Sequence, residues 1–137
     1  MTRSPLVRPR MLAAVMAGGA VGVAFRELAL LPATAIEEPS AVTLATLVIN
    51  VAGSFLLGVV VVTLGDRHPV WRGFVGTGML GGFTTYSAFA VQSAVAVSTA
   101  PVLAAALALV AVSLGLVAAF AGIWAARGIR RAFGRAV

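Results

Sequence analysis

The sequence predicts an all-α integral membrane protein of four transmembrane helices, the third broken near Gly81, forming one membrane domain over residues 1–137. Three observations lead there. Hydrophobic residues make up 61% of the chain and charged residues 10%, with a mean hydropathy of +1.06, whereas a soluble domain carries about 25% charged residues. The apolar residues fall into four runs, each near the roughly 20 residues that a span needs, which leaves no room for a separate soluble domain. All ten basic residues are arginines, and all but Arg26 flank those runs. This composition excludes a soluble globule and a disordered segment, and the lack of cysteine excludes a disulfide-stapled module. The net charge of +6 does not indicate a nucleic-acid partner, because its arginines sit in the loops and tails of a membrane chain.

The first helix is expected at about residues 11–31, between Arg8-Pro9-Arg10 and Pro32. Ala33-Thr34-Ala35 resembles a signal cleavage site, but Arg26 and Glu27 would stand in a region that signal peptides keep uncharged, so the run is expected to be retained. The second helix, at about 41–64, follows Glu37-Glu38-Pro39-Ser40, where Ser40 is a candidate cap. Gly65-Asp66-Arg67-His68-Pro69 reads as a turn. The third run, at about 71–98, holds Gly73, Gly76, Gly78, Gly81 and Gly82 within ten positions. Each glycine weakens a helix by about 1 kcal/mol relative to alanine, and a break near Gly81 follows. Unwound backbone survives at membrane depth only against protein or a polar cavity; the alternative is that these glycines let helices approach closely. The fourth helix, at about 101–126, starts with proline at a permissive position. Gly115 and Gly122, seven apart, suit a packing seam, and basic tails complete the chain at 1–10 and 127–137.

Four spans place both termini on one side. That side holds Arg3, Arg8, Arg10, Arg67, Arg72, Arg127, Arg130, Arg131 and Arg135, while the opposite loops hold Glu37 and Glu38 and no arginine. The bias predicts a multi-pass protein of the cell membrane with both termini in the cytoplasm. The two halves share no sequence repeat.

Polar residues inside the spans need a partner or a function. Asn50 lies near the middle of the second run with Ser54 one turn on, and Thr43 and Thr46 extend the stripe outward. Its amide serves equally as interhelical glue or as a donor to a permeating species. After the glycines comes Phe83-Thr84-Thr85-Tyr86-Ser87-Ala88-Phe89, which places Tyr86 and Phe89 three apart with Gln92 beyond. Aromatic ring edges are electropositive and can contact an anion, although such stripes also serve packing. Arg26, near the end of the first span, either pairs with Glu27 or snorkels to the headgroups, or else attracts anions in a wet mouth. Ser113 sits in the fourth run, where serine commonly bonds back to its own helix. Amides, hydroxyls, ring edges and one arginine describe a route for a small anion, whereas a cation path would need interior carboxylates. No nucleotide-binding loop, metal-ligand cluster or nucleophile with a base is present, so the chain does not read as an enzyme.

Gly18-Gly19-Ala20-Val21-Gly22 with Arg26, the stretch Thr46 to Gly58 containing Asn50-Val51-Ala52-Gly53-Ser54, and the stretch Gly78 to Phe89 containing Gly81-Gly82-Phe83-Thr84-Thr85-Tyr86-Ser87-Ala88-Phe89 closely resemble the CrcB/Fluc family of fluoride channels. The resemblance implies a passive channel that lets fluoride leave the cell, protecting it from fluoride toxicity. It also implies an antiparallel dimer with two narrow pores and a structural sodium ion at its centre. On this resemblance Asn50 is the fluoride-facing amide, and Tyr86 and Phe89 hold the aromatic pore positions. Ser87 and Ser113 extend the polar track, Arg26 stands in the vestibule, and the backbone carbonyls of Gly81 and Thr84 hold the sodium. The chain departs from the family in two ways. Its strong arginine bias should fix one orientation, and Tyr86 stands where the pattern has phenylalanine. Because some members pair two different, oppositely oriented subunits, the expected partner is a second copy or such a homologous subunit. Two alternatives stand beside this reading: a small multidrug-type transporter, for which Glu27 lies too near the helix end, and a non-conducting membrane assembly subunit.

Overall fold

Proline opens each of the long helices, because its missing N–H is one that the first turn could not have bonded anyway. The computed structural model describes residues 8–36, 38–85 and 100–133, and every regular element among them is helical. Helix α1 spans Pro9–Thr34 and α2 spans Pro39–Leu64. A composite segment follows: α3 (Pro69–Arg72), a π-helical stretch (Gly73–Leu80) and α4 (Gly81–Phe83). Helix α5 runs from Pro101 to Phe133. Three helices, Pro9–Thr34, Ser40–Leu64 and Pro101–Ala132, are long and apolar enough to cross a membrane. Large hydrophobic side chains such as Leu44, Val48, Val117 and Phe120 stay exposed along them, as lipid or a partner in the membrane requires. The chain is a multi-pass membrane protein.

Several boundaries differ from the sequence expectation. Ser40 does not cap α2; Glu38 holds the cap position and Pro39 opens the helix. Helix α1 continues past Pro32 to Thr34, since a proline this close to the end removes little of the ladder, and the Thr34 hydroxyl donates to the Leu31 carbonyl at 2.9 Å. The basic tail expected from residue 127 is helical through Phe133, with Arg130 and Arg131 in the last turn, where cations complement the negative helix end. Gly81 is itself helical (φ −66°, ψ −36°); the chain leaves the helix three residues later, at Thr84 (φ −75°, ψ 149°).

Most of the glycines therefore serve approach rather than breakage. Gly18 and Gly22, four apart on α1, face Gly78 and Gly82, four apart on the composite segment. A methyl built at Gly22 would land on the Met79 carbonyl, one at Gly18 on the Phe74 carbonyl, and one at Gly78 within 2.6 Å of the Val15 carbonyl. Small residues at this spacing let two backbones touch where lipid supplies no hydrophobic drive. Helix α2 makes its most extensive contact with α5, where Gly58 meets the Ala119 carbonyl and Gly122 meets that of Phe55. The predicted Gly115 and Gly122 seam thus faces α2, with Gly115 against Ser54. The π-helical stretch has a wider turn than an α-helix, and such stretches accompany functional sites.

One end of the bundle collects the basic residues. A hollow there joins Met11 at the start of α1 to Gly65, Asp66 and Arg72. Arg130 near the end of α5 donates to the Val62 carbonyl at 3.0 Å. Gly65, the one described glycine with positive φ (50°), makes the turn after α2 possible at that end.

Candidate functional site

The helix ends at Thr84 because a side chain from another helix takes the next amide. The Thr85 N–H donates to Asn50 Oδ1 at 2.8 Å, and Asn50 Nδ2 donates to the Thr85 carbonyl at 2.9 Å. The two bonds mimic the pairing of adjacent strands and hold Thr85, which is 6% exposed, against α2 just after the extended Thr84. The last helical bond is Thr84 N–H to the Leu80 carbonyl at 2.9 Å. One step further, the amide that would have bonded the Gly81 carbonyl is the one that Asn50 holds. Asn50 thus serves as glue: its oxygen and one N–H fix the break, and the residue also lines the groove described next.

That groove, about 720 Å³, runs between α2, α5 and the composite segment. Its polar lining is Asn50, Ser54, Thr77, Thr84 and Thr85, with Arg72 at one end and aliphatic residues elsewhere. No carboxylate lines it among the described residues; the nearest acid in sequence, Asp66, is ion-paired with Arg72 at 2.7 Å. Thr84 returns its hydroxyl to the Leu80 carbonyl at 2.9 Å, so it offers the groove backbone rather than side chain.

Arg26 sits at the opposite end of α1 from the basic cluster. Its guanidinium, 22% exposed, bonds Glu27 Oε1 at 3.1 and 3.2 Å and donates to the Gly82 carbonyl at 3.3 Å. The pairing with Glu27, one of the alternatives the sequence left open, is present, and the tie to Gly82 adds a cap for the helix that stops at the break. Arg26→Leu is expected to lower the thermal midpoint of the detergent-solubilised protein by an amount equivalent to about 1–2 kcal/mol. Arg26→Lys should recover part of that loss, and equal midpoints for Leu and wild type would refute the cap.

The Gly81 and Thr84 carbonyls, assigned to sodium by resemblance, pass a donor-set test. Both are uncharged hard oxygens, the kind of ligand that alkali and alkaline-earth cations take. Gly81 lacks its usual helical partner, and the extended ψ at Thr84 turns its carbonyl out of the helical direction. Ser113 lies on an exposed face of α5, outside the groove, and bonds back to the Leu109 carbonyl at 2.7 Å. Tyr86, Ser87, Phe89 and Gln92 lie outside the described residues. Sequence reasoning missed Thr85 and Thr77. Thr85 could have been found by asking which backbone a buried asparagine satisfies; Thr77 carries no signal beyond a hydroxyl among glycines.

A family model described as "CrcB-like protein, Camphor Resistance (CrcB)" matches residues 13–123. The fluoride-specific ion channel FluC of Cereibacter sphaeroides is 40% identical over 115 residues, covering 83% of this chain and 92% of the relative. Fluoride-specific ion channel FluC 1 of Mycobacterium tuberculosis is 41% identical over 113 residues, 80% and 84% of the two chains. FluC 2 of Thermobifida fusca is 49% identical over 80 residues, 56% and 58% of the two.

Proposed function

The chain belongs to the CrcB family, and from that premise we propose that it is a fluoride channel, a passive route for the anion out of the cell and not an enzyme. The observation that carries this reading is the groove at the Asn50–Thr85 break. An amide N–H and a row of hydroxyl-bearing residues line it, without a carboxylate among the described residues. A compact anion gives up its water only to fixed donors in the right number, and an acid in the same wall would repel it. Asn50 is the first donor, the Tyr86 and Phe89 ring edges continue the path, Ser87 assists, and Arg26 raises the local anion concentration at one mouth.

The open groove and exposed helix faces suit closure by another subunit. We infer an antiparallel dimer of four-span subunits, the third span being completed beyond Thr85. The Gly81 and Thr84 carbonyls of the two subunits hold a structural sodium ion, which supplies a fixed central positive charge. The gathering of Arg72 and Arg130 at one end of the bundle supports a single orientation with both termini in the cytoplasm. The partner is then a homologous subunit of opposite orientation, and the pore lined by Tyr86 is altered or silent.

The test is efflux from liposomes, read with a fluoride electrode. Efflux appears only when this chain is combined with a homologue of reversed loop charge, and chloride stays inside. Full efflux from the single purified chain would remove the partner requirement while leaving the channel; no efflux in either case would end the fluoride reading.

A further inference from the structure

Outside the groove, a second hollow of about 460 Å³ lies at the basic end, walled by Val61, Val62 and Gly65 from the end of α2 and by Arg127, Arg130 and Arg131 from α5. We propose that it is a binding site for the phosphate of an anionic phospholipid, phosphatidylglycerol being the probe. On a helix, Arg127, Arg130 and Arg131 occupy positions i, i+3 and i+4 and so project from one face. Only one of their guanidinium groups has a protein acceptor among the described residues: Arg130, on the Val62 carbonyl at 3.0 Å. That bond offsets the negative end of α2 and fixes one wall. No carboxylate lines the hollow among the described residues, and Asp66, next to Gly65, is held by Arg72 at 2.7 Å. The remaining donors face a space that must be filled by water or by an anion.

The depth of the site selects a lipid over a dissolved ion. Trp124, 82% exposed, stands one turn before Arg127 on the outer surface of α5, and tryptophan marks the headgroup boundary. The arginines above it are then level with lipid phosphates, and Val61 and Val62 offer an apolar floor to the first methylenes of an acyl chain. Guanidinium forks match phosphate oxygens in pairs, so all three positions carry donors suited to a phosphate.

Trp124 also supplies the readout. In full-length protein carrying Trp71→Phe it is the only tryptophan, and brominated acyl chains quench it on contact. Brominated phosphatidylglycerol is expected to quench it at lower mole fraction than brominated phosphatidylcholine. Arg127→Gln/Arg131→Gln should cut that preference by roughly fivefold per arginine, and Arg127→Lys/Arg131→Lys should retain most of it, which separates charge from a folding defect. Equal quenching by the two lipids, or a preference that survives the double glutamine variant, overturns the site. Loss of the preference on adding inorganic phosphate at the lipid's own concentration also overturns it, by assigning the hollow to a free oxyanion.

Discussion

Asn50→Ala is expected to abolish fluoride efflux while leaving the helices inserted. The side chain makes two bonds to one residue, at 2.8 and 2.9 Å, and Thr85 is buried. Removing the amide leaves a buried N–H and a buried carbonyl without these partners, at about 1–3 kcal/mol each. The extended conformation at Thr84 loses its support, and the Thr85 N–H can then return to the Gly81 carbonyl, extending the helix through the break. A few kcal/mol against the open form lowers its population by roughly 30-fold or more, since each 1.4 kcal/mol is about a factor of ten. Asn50→Asp preserves the acceptor for Thr85 N–H but sets a carboxylate against the Thr85 carbonyl and in the path of an anion, so it should be equally inactive. Efflux rate and elution as a folded species are the two measurements. Flux within a factor of about two of wild type for Asn50→Ala would remove the amide from both roles, because loss of two buried hydrogen bonds predicts far more.

Gly22→Val is expected to destroy the fold rather than tune the flux. Its Cβ would coincide with the Met79 carbonyl and approach the Phe83 nitrogen to 2.8 Å, and backbone atoms of a packed helix cannot swing aside as a flexible side chain would. Overpacking costs about 1–3 kcal/mol where neighbours can shift and more where they cannot. The contrast is Gly19→Ala. Gly19 lies three residues earlier in the same sequence motif, yet nothing lies within 4 Å of its added carbon, and alanine favours helix by about 1 kcal/mol. The thermal midpoint should fall sharply, or the protein should fail to accumulate, for Gly22→Val, and should hold or rise for Gly19→Ala. Similar behaviour of the two variants would mean that α1 and the composite segment are not in backbone contact.

These two residues also show what was legible in the sequence. Spans, their number of apolar runs and the arginine asymmetry follow from one-dimensional patterns, because the bilayer imposes a fixed length and charge rule. Asn50 could be singled out for the same reason: a membrane-embedded amide demands a partner. What the pattern could not reveal is why the break, expected near Gly81, falls at Thr84: the glycines weaken a helix locally, but the stop is imposed from α2 by Asn50, thirty-five residues before Thr85. Nor could composition separate Gly19 from Gly22. Both are glycines in one motif, and only the register of the facing helix makes one indispensable.

The most extensive contact between two of the long helices joins α2 to α5, the second and last of them in the chain. This pairing imposes an order on biosynthesis. Chains are made from the N-terminus, so α2 is in place before residues 101–133 exist. During that interval the notch at Gly58, and the Phe55 carbonyl that later receives Gly122, meet lipid or the insertion machinery instead of α5. Helix α1 and the composite segment can close earlier, through Gly22 and Gly82, while the last helix is still being translated. Chains truncated near residue 100 and released from the ribosome should therefore already hold the α1 contact and lack a finished groove, which is completed only once α5 through Gly122 has been made.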